Sequence, residues 1–228
     1  IYKGSRGACP ETPYPRGPPG SLLETLFPRG KVAAPGSDSH FIIHNKESVM
    51  RTMKIGKSGV EASVVGIGSW AIGGDSMWGA SDDAESIRTI HRARELGVTL
   101  LDTAPVYGFG HSEEVVGKAL AGRRSQYVLS TKCGLRWDIQ EGGLHMERDG
   151  ARIVRNTRPE FIAQEIEASL RRLKTDYIDI YIVHWQAQPE YPCPIADTMG
   201  YLLRLKQQGK IRAIGDSNLD EAHFREYV

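Results

Sequence analysis

From residue 64 onward the chain switches hydrophobic period again and again. A short run of β-prone apolar residues gives way each time to a segment whose apolar positions recur three or four apart. The runs are Val64–Gly68, Val98–Leu101, Tyr127–Thr131, Tyr177–Val183 and Ile211–Gly215. The first helix is capped by Ser81 or Asp82 and runs to Leu96, with Ile87, Ile90 and Leu96 on one face and Gly97 as its stop. The second runs from Ser112 to Leu120 and ends at Gly122. Thr157 and Glu160 have the spacing of a capping box, with Pro159 in the first turn, for a helix whose buried face is Ile162, Ile166, Leu170 and Leu173. A fourth spans Ile195 to Gln208 before Gly209, and a fifth follows the last strand. Ahead of the rhythm, Thr52–Ser63 reads as a hairpin turning at Gly56-Lys57-Ser58-Gly59. The stretch from Cys133 to Asn156, rich in glycine and charge, reads as one long connection; its length implies a function, and overhanging the site is the expected one.

Alternation of this kind demands parallel strands with helices packed outside, which leaves an open doubly wound sheet or part of a (β/α)8 barrel. The strand ends choose between them. Each run closes on polar side chains: Ser69, Asp102, Lys132, His184, and Ser217-Asn218. Chemistry distributed over many strand ends is a barrel property, whereas an open sheet gathers it at one switch point behind a glycine-rich phosphate turn. Gly66-Ile67-Gly68-Ser69-Trp70-Ala71 approaches that turn in spelling, but Ile72-Gly73-Gly74-Asp75 follows where a helix should open. The sequence therefore predicts an α/β (β/α)8 TIM barrel, incomplete, with about five of eight βα units and an N-terminal β-hairpin.

Composition narrows the partners. A formal net charge of +1, with no basic stripe, gives no footprint for nucleic acid. No stretch approaches the ~20 apolar residues that span a bilayer, so no membrane partner is expected. Cys9, Cys133 and Cys193 are too few and too scattered for a disulfide framework or a paired metal motif, so no metal site is expected and a reducing cytoplasm is the plain reading. Cys133 and Cys193 read as small buried hydrophobes. Residues 1–49 hold most of the prolines and no sustained apolar period; they read as a disordered or non-native tail, leaving residues 50–228 as the folded part. The oligomeric state is left open.

Asp102, Tyr107, Lys132 and His184 form one candidate set at the barrel mouth. A phenol near pKa 10 is a poor acid at neutral pH, and an ammonium beside it favours the phenolate. A carboxylate holds that ammonium in place, and an imidazole opposite donates to a carbonyl oxygen. Together such groups protonate an alkoxide as hydride reaches the carbonyl carbon. Each has a plainer reading: a strand-terminating aspartate, a loop tyrosine, a solvated lysine, a core histidine. Four on strand ends facing one mouth are hard to dismiss jointly.

Leu101-Asp102-Thr103-Ala104-Pro105-Val106-Tyr107-Gly108, followed by Ser112-Glu113-Glu114-Val115-Val116-Gly117, resembles the aldo-keto reductase signature. So do Ser130-Thr131-Lys132, the run from Tyr177-Ile178-Asp179 to His184-Trp185, and Gly209 to Gly215. The resemblance implies NAD(P)H-dependent reduction of aldehydes or ketones, with Tyr107 as general acid, Lys132 and Asp102 tuning it, and His184 orienting a small-molecule carbonyl. It implies further that Gly68, Ser69 and Trp70 line the cofactor and substrate mouth, and that Asp102, Ser217 and Asn218 contact the cofactor, Ser217 and Asn218 through the carboxamide. NADPH is the cofactor expected from the family, with NADH not excluded. A cofactor-binding regulatory subunit of the same fold, or a non-functional fragment, is the alternative. Asp216 departs from the pattern, which has an apolar residue there. The family's last three strand–helix units are also lacking, so the resemblance implies a C-terminally truncated chain, poorly soluble and inactive alone.

Overall fold

The computed structural model describes residues 50–227; the tail read over residues 1–49, Cys9 included, lies outside the described residues. A hairpin of β1 (Thr52–Lys54) and β2 (Glu61–Ser63) comes first, paired antiparallel with Thr52 opposite Ser63. Its turn is the expected one, with Gly56 and Gly59 at positive φ and the Ser58 hydroxyl donating to the Ile55 carbonyl at 2.6 Å. Then follow β3 (Gly66–Gly68), α1 (Asp83–Glu95), β4 (Leu100–Asp102), α2 (His111–Leu120) and β5 (Val128–Cys133). Three further strands, β6 (Leu135–Arg136), β7 (Gly143–Arg148) and β8 (Ala151–Arg155), precede α3 (Pro159–Leu173), β9 (Ile178–Val183), α4 (Ile195–Gln207), β10 (Ile211–Asp216) and α5 (Glu221–Tyr227).

The main sheet runs β10-β9-β5-β4-β3, every pair parallel. This is an arc of a (β/α)8 barrel, five of its eight strand positions, as the alternation predicts. Period two is visible in β9: Ile180 and Ile182 face inward with Val60, Ala62, Val128 and Ala213, so the hairpin floors the arc. Tyr181 and Val183 face outward, under Ile162, Ile166, Leu202 and Leu205 of α3 and α4. Each fully buried aliphatic side chain of this layer stabilises the fold by about 1.5–3 kcal/mol. Asp179 crosses the strands: its buried carboxylate accepts from Arg124 at 2.7 Å, from Arg212 at 2.6 Å and from the Leu129 amide at 2.9 Å, tying β5, β9 and β10 together.

Several local expectations are corrected. Residues 133–156 are not a structureless loop but hold a small antiparallel sheet, ordered β6-β8-β7. Thr157 and Glu160 form no capping box: Arg158 is the N-cap without a side-chain bond, and Asn156 Oδ1 accepts from the Arg158 amide at 3.1 Å. Thr157 instead offers its carbonyl to the Thr198 hydroxyl at 2.9 Å, docking α4. Asp82, not Ser81, caps α1, accepting from the Glu85 amide at 3.0 Å. Leu96 lies past the end of α1 and is exposed rather than on its buried face, and Val64 and Val65 are exposed ahead of β3. Cys133 is buried, while Cys193 is only half-buried. No helix among the described residues is long and apolar enough to cross a membrane.

Glu165 sits on the buried face of α3, where burial pushes its carboxyl up to about 8 against the Gly134 amide that donates to Oε2 at 2.8 Å. A folded pKa raised above the unfolded one means that the folded state holds the proton more tightly. Its favourable contribution is complete below the unfolded carboxyl value and is lost as pH rises towards 8. Glu165→Gln should therefore gain stability relative to wild type, by on the order of 1–3 kcal/mol, between pH 5 and pH 8. Urea unfolding at the two pH values checks this; a difference that stays constant would show that Glu165 is ionised in the fold.

Candidate active site

Parallel pairing puts the C-terminal ends of all five strands on one side, and register sets their heights. Gly68 pairs with Asp102, Asp102 with Ser130, Lys132 with Ile182, and Val183 with Asp216. Lys132, only 6% exposed, sends Nζ to Asp102 Oδ2 at 2.8 Å and to the Thr103 carbonyl at 2.7 Å. Ser130 donates to the other Asp102 oxygen at 3.0 Å, so β5 holds both oxygens of the carboxylate at the end of β4. Burial pulls the Lys132 ammonium below the usual lysine value, and Asp102 and, more weakly, Glu113 oppose that shift.

Tyr107 projects from a tight turn after β4, through Gly108, Phe109 and Gly110, all at positive φ. Gly108 is required there on two counts. Its φ is +57°, and a Cβ would collide with the Gly73 carbonyl, because the β3–α1 loop packs backbone to backbone on the turn. Phe109 holds its unusual conformation by packing on Trp137 at 5.7 Å and beneath the Arg148 guanidinium at 5.4 Å. The Tyr107 ring stacks on Trp70 at 5.6 Å and meets His184 edge-on at 5.9 Å, and Lys132 Nζ lies 4.9 Å from its centroid. The four candidates thus converge on one phenol. Its pKa is pushed up to about 12, by burial first and then by the Asp102 charge. This reverses the expectation that lysine lowers it: burial of the ring and the Asp102 charge together outweigh the neighbouring ammonium.

His184, after β9, is 9% exposed, and its pKa is pulled down to about 3 by burial, with Lys132 and His145 adding repulsion. The ring is therefore neutral at physiological pH. Ser217 Oγ and Asn218 Nδ2 both donate to the His184 carbonyl, at 2.8 and 2.9 Å, so these two residues brace the end of β9. Asp216 ends β10, where its buried Oδ1 has no hydrogen-bond partner among the described residues and burial pushes its carboxyl up to about 6.

Tyr107, His184 and Asn218 share a cavity of about 250 Å³ whose wall also includes Trp70 and Trp185, while Asp102, Lys132, Ser217 and Asp216 do not line it. Of the three residues expected at the mouth from β3, only Trp70 lines it. Ser69 is buried, its hydroxyl bonded to the Asp102 carbonyl at 2.9 Å and to Ser112 at 2.8 Å, and it locks loops together instead. Gly68 is exposed at the strand end, away from that wall. The small sheet supplies the opposite side: His145, Met146 and Arg148 of β7 and Ile153 of β8, none singled out from sequence. A signal was present, since Asp149-Gly150 is a two-residue turn pair and both adopt positive φ, closing Arg148 onto Ala151. Arg148 also clamps the site, donating to the Val106 carbonyl at 3.0 Å and pairing with the buried Asp75 at 3.2 Å, which in turn accepts from the Trp70 indole at 3.3 Å.

A barrel arc with an Asp–Lys pair, a tyrosine and a neutral histidine brings acid–base groups together at one end of the sheet. The match of residues 64–227 to the aldo/keto reductase family then settles the lineage: the chain belongs to that family. It is similar to the NADH-specific methylglyoxal reductase of Escherichia coli, 45% identical over 78% of this chain and 55% of that protein. Among solved structures it is similar to a glycerol dehydrogenase from Gluconobacter oxydans, 41% identical with a TM-score of 0.64 over 80% of this chain and 52% of that one. It is also similar to an aldo-keto reductase from Klebsiella pneumoniae in complex with NADPH, 27% identical with a TM-score of 0.59 over 78% and 53%. The chain spans about half the length of the relatives it matches.

Proposed function

We propose that the protein reduces aldehydes or ketones to alcohols with a nicotinamide cofactor, using Tyr107 as the proton donor. The observation that carries this is the convergence on one phenol of Lys132, itself tied to Asp102 at 2.8 Å, and the neutral His184. When bound, the cofactor supplies the hydride and leaves oxidised. The residues present fit its nicotinamide end, because a flat aromatic wall and the Asn218 amide border one cavity. The same likenesses support either NADPH or NADH.

A neutral imidazole at His184 donates to the substrate oxygen and turns it towards Tyr107. As negative charge grows on that oxygen, Tyr107 delivers its proton and the product is an alcohol. A phenol held near 12 stays protonated until it meets a stronger base, and an alkoxide is one, so the transfer remains downhill. The phenolate left behind is stabilised by Lys132 and recovers its proton from solvent. Trp70 and the Arg148–Asp75 clamp keep the phenol aligned. Full-length protein mixed with a small aldehyde and either reduced cofactor should consume both in equal amounts. Cofactor binding without turnover would support the regulatory-subunit alternative instead.

A further inference from the structure

A second imidazole stands in the wall of the same cavity. His145 lies on β7, with its ring against Trp185 at 5.0 Å between centroids. From the neighbouring β8, Arg155 Nε donates to His145 Nδ1 at 3.0 Å, and the Arg155 guanidinium covers Trp185 at 4.3 Å. A guanidinium has donors only and does not lose its protons. His145 Nδ1 is thus the acceptor and carries no hydrogen. Burial, then Arg155 and Arg148, pull the ring's pKa below the ordinary histidine value, which keeps it neutral. One tautomer satisfies both conditions: the proton is on Nε2. Much of the remaining wall is apolar, including Val106, Leu135, Met146 and Ile153, so the cavity offers few other polar groups to a substrate.

We infer that His145 Nε2–H is a specificity-determining donor, which binds an oxygen one or two carbons from the reacting carbonyl and so selects hydroxylated or dicarbonyl substrates. The inference rests on the proposed reductase reading. His184 and His145 line one cavity of about 250 Å³, so a small substrate with its carbonyl oxygen at His184 presents a nearby second oxygen to the side that His145 lines. His184 takes the reacting oxygen and His145 takes its neighbour. A substrate lacking the second oxygen forgoes that hydrogen bond, and that difference is the source of selectivity.

Two measurements on the full-length protein test this. The first compares kcat/KM for 2-hydroxypropanal and propanal, which differ by one hydroxyl. His145→Leu should lower the value for 2-hydroxypropanal by about tenfold or more relative to that for propanal, and His145→Gln, which retains a donor, should restore much of the loss. Equal effects on both aldehydes, or no effect on either, overturn the inference alone. Turnover of neither aldehyde by the wild type overturns the reductase reading, and the inference with it. The second measurement, a two-bond proton–nitrogen correlation spectrum of nitrogen-labelled histidines, needs no activity. It should show His145 protonated at Nε2 and bare at Nδ1 at neutral pH, and the opposite tautomer overturns the inference whatever the kinetics show.

Discussion

Tyr107→Phe is expected to lower kcat for aldehyde reduction by about 10²–10⁴-fold, the contribution of one positioned proton donor. That corresponds to roughly 3–5 kcal/mol of barrier. Phenylalanine retains the stacking on Trp70 at 5.6 Å and the edge contact with His184 at 5.9 Å, so the cavity keeps its shape and only the hydroxyl goes. Cofactor affinity should therefore stay within about twofold. The pH profile carries the same logic. Tyr107 is pushed up to about 12 and His184 down to about 3, so neither group changes charge near neutrality. Below its raised value the phenol is protonated and competent to donate; above its lowered value the imidazole is neutral and still a donor through one nitrogen. The wild-type rate of reduction should be flat on account of these two groups through the neutral range. A rate in Tyr107→Phe within tenfold of wild type, measured by stopped-flow in single turnover, would remove Tyr107 from the chemistry.

The parts of this site that were legible in sequence are those fixed by β-sheet period and parallel register. An apolar run ending in a polar residue places that residue at a strand end, and parallel pairing brings successive ends to one side; Asp102, Lys132 and His184 required nothing more. Two kinds of information were hidden. The first is partner choice. Thr157 and Glu160 have capping-box spacing, but Thr198 takes the Thr157 carbonyl and Asn156 caps the turn, a tertiary contact 41 residues away in the chain overriding a local preference. Likewise Lys132 beside Tyr107 suggested a lowered phenol pKa, whereas burial of the ring and the Asp102 charge drive it the other way. The second is the small sheet of residues 135–155. Its strands are short and rich in charge, and half of β7 faces solvent, so no apolar run announces it. The stretch was expected to overhang the site, but only the Asp149-Gly150 turn pair hinted at the strands that bring His145 and Arg148 into the cavity wall.

The largest stability effect is expected at a residue that never touches the cavity. Glu113, in α2, is completely buried behind β5, where it accepts from the Thr131 hydroxyl at 2.6 Å and from Arg172 Nε at 2.7 Å. Arg172 reaches it from α3, and the helices approach so closely that a Cβ at Gly117 would lie within 3.0 Å of the Leu173 backbone. Arg172→Met keeps most of the aliphatic stem but strands a carboxylate in the interior. Breaking a buried pair in this way costs about 3–5 kcal/mol, far more than the pair itself contributes over an apolar substitute. The double variant Arg172→Met, Glu113→Gln should then recover much of the loss, because the neutral amide still accepts from Thr131 and leaves no charge behind. The site feels the change as well, since Glu113 acts through space on the Lys132 ammonium. Urea unfolding of the wild type, the single variant and the double variant decides the matter. If the single variant loses less than about 1 kcal/mol, as exposed pairs do, water reaches Glu113 and the pair is a surface one in energy. If the double variant is no better than the single, the loss comes from the packing of α3 on α2 and the buried charge is not its cause.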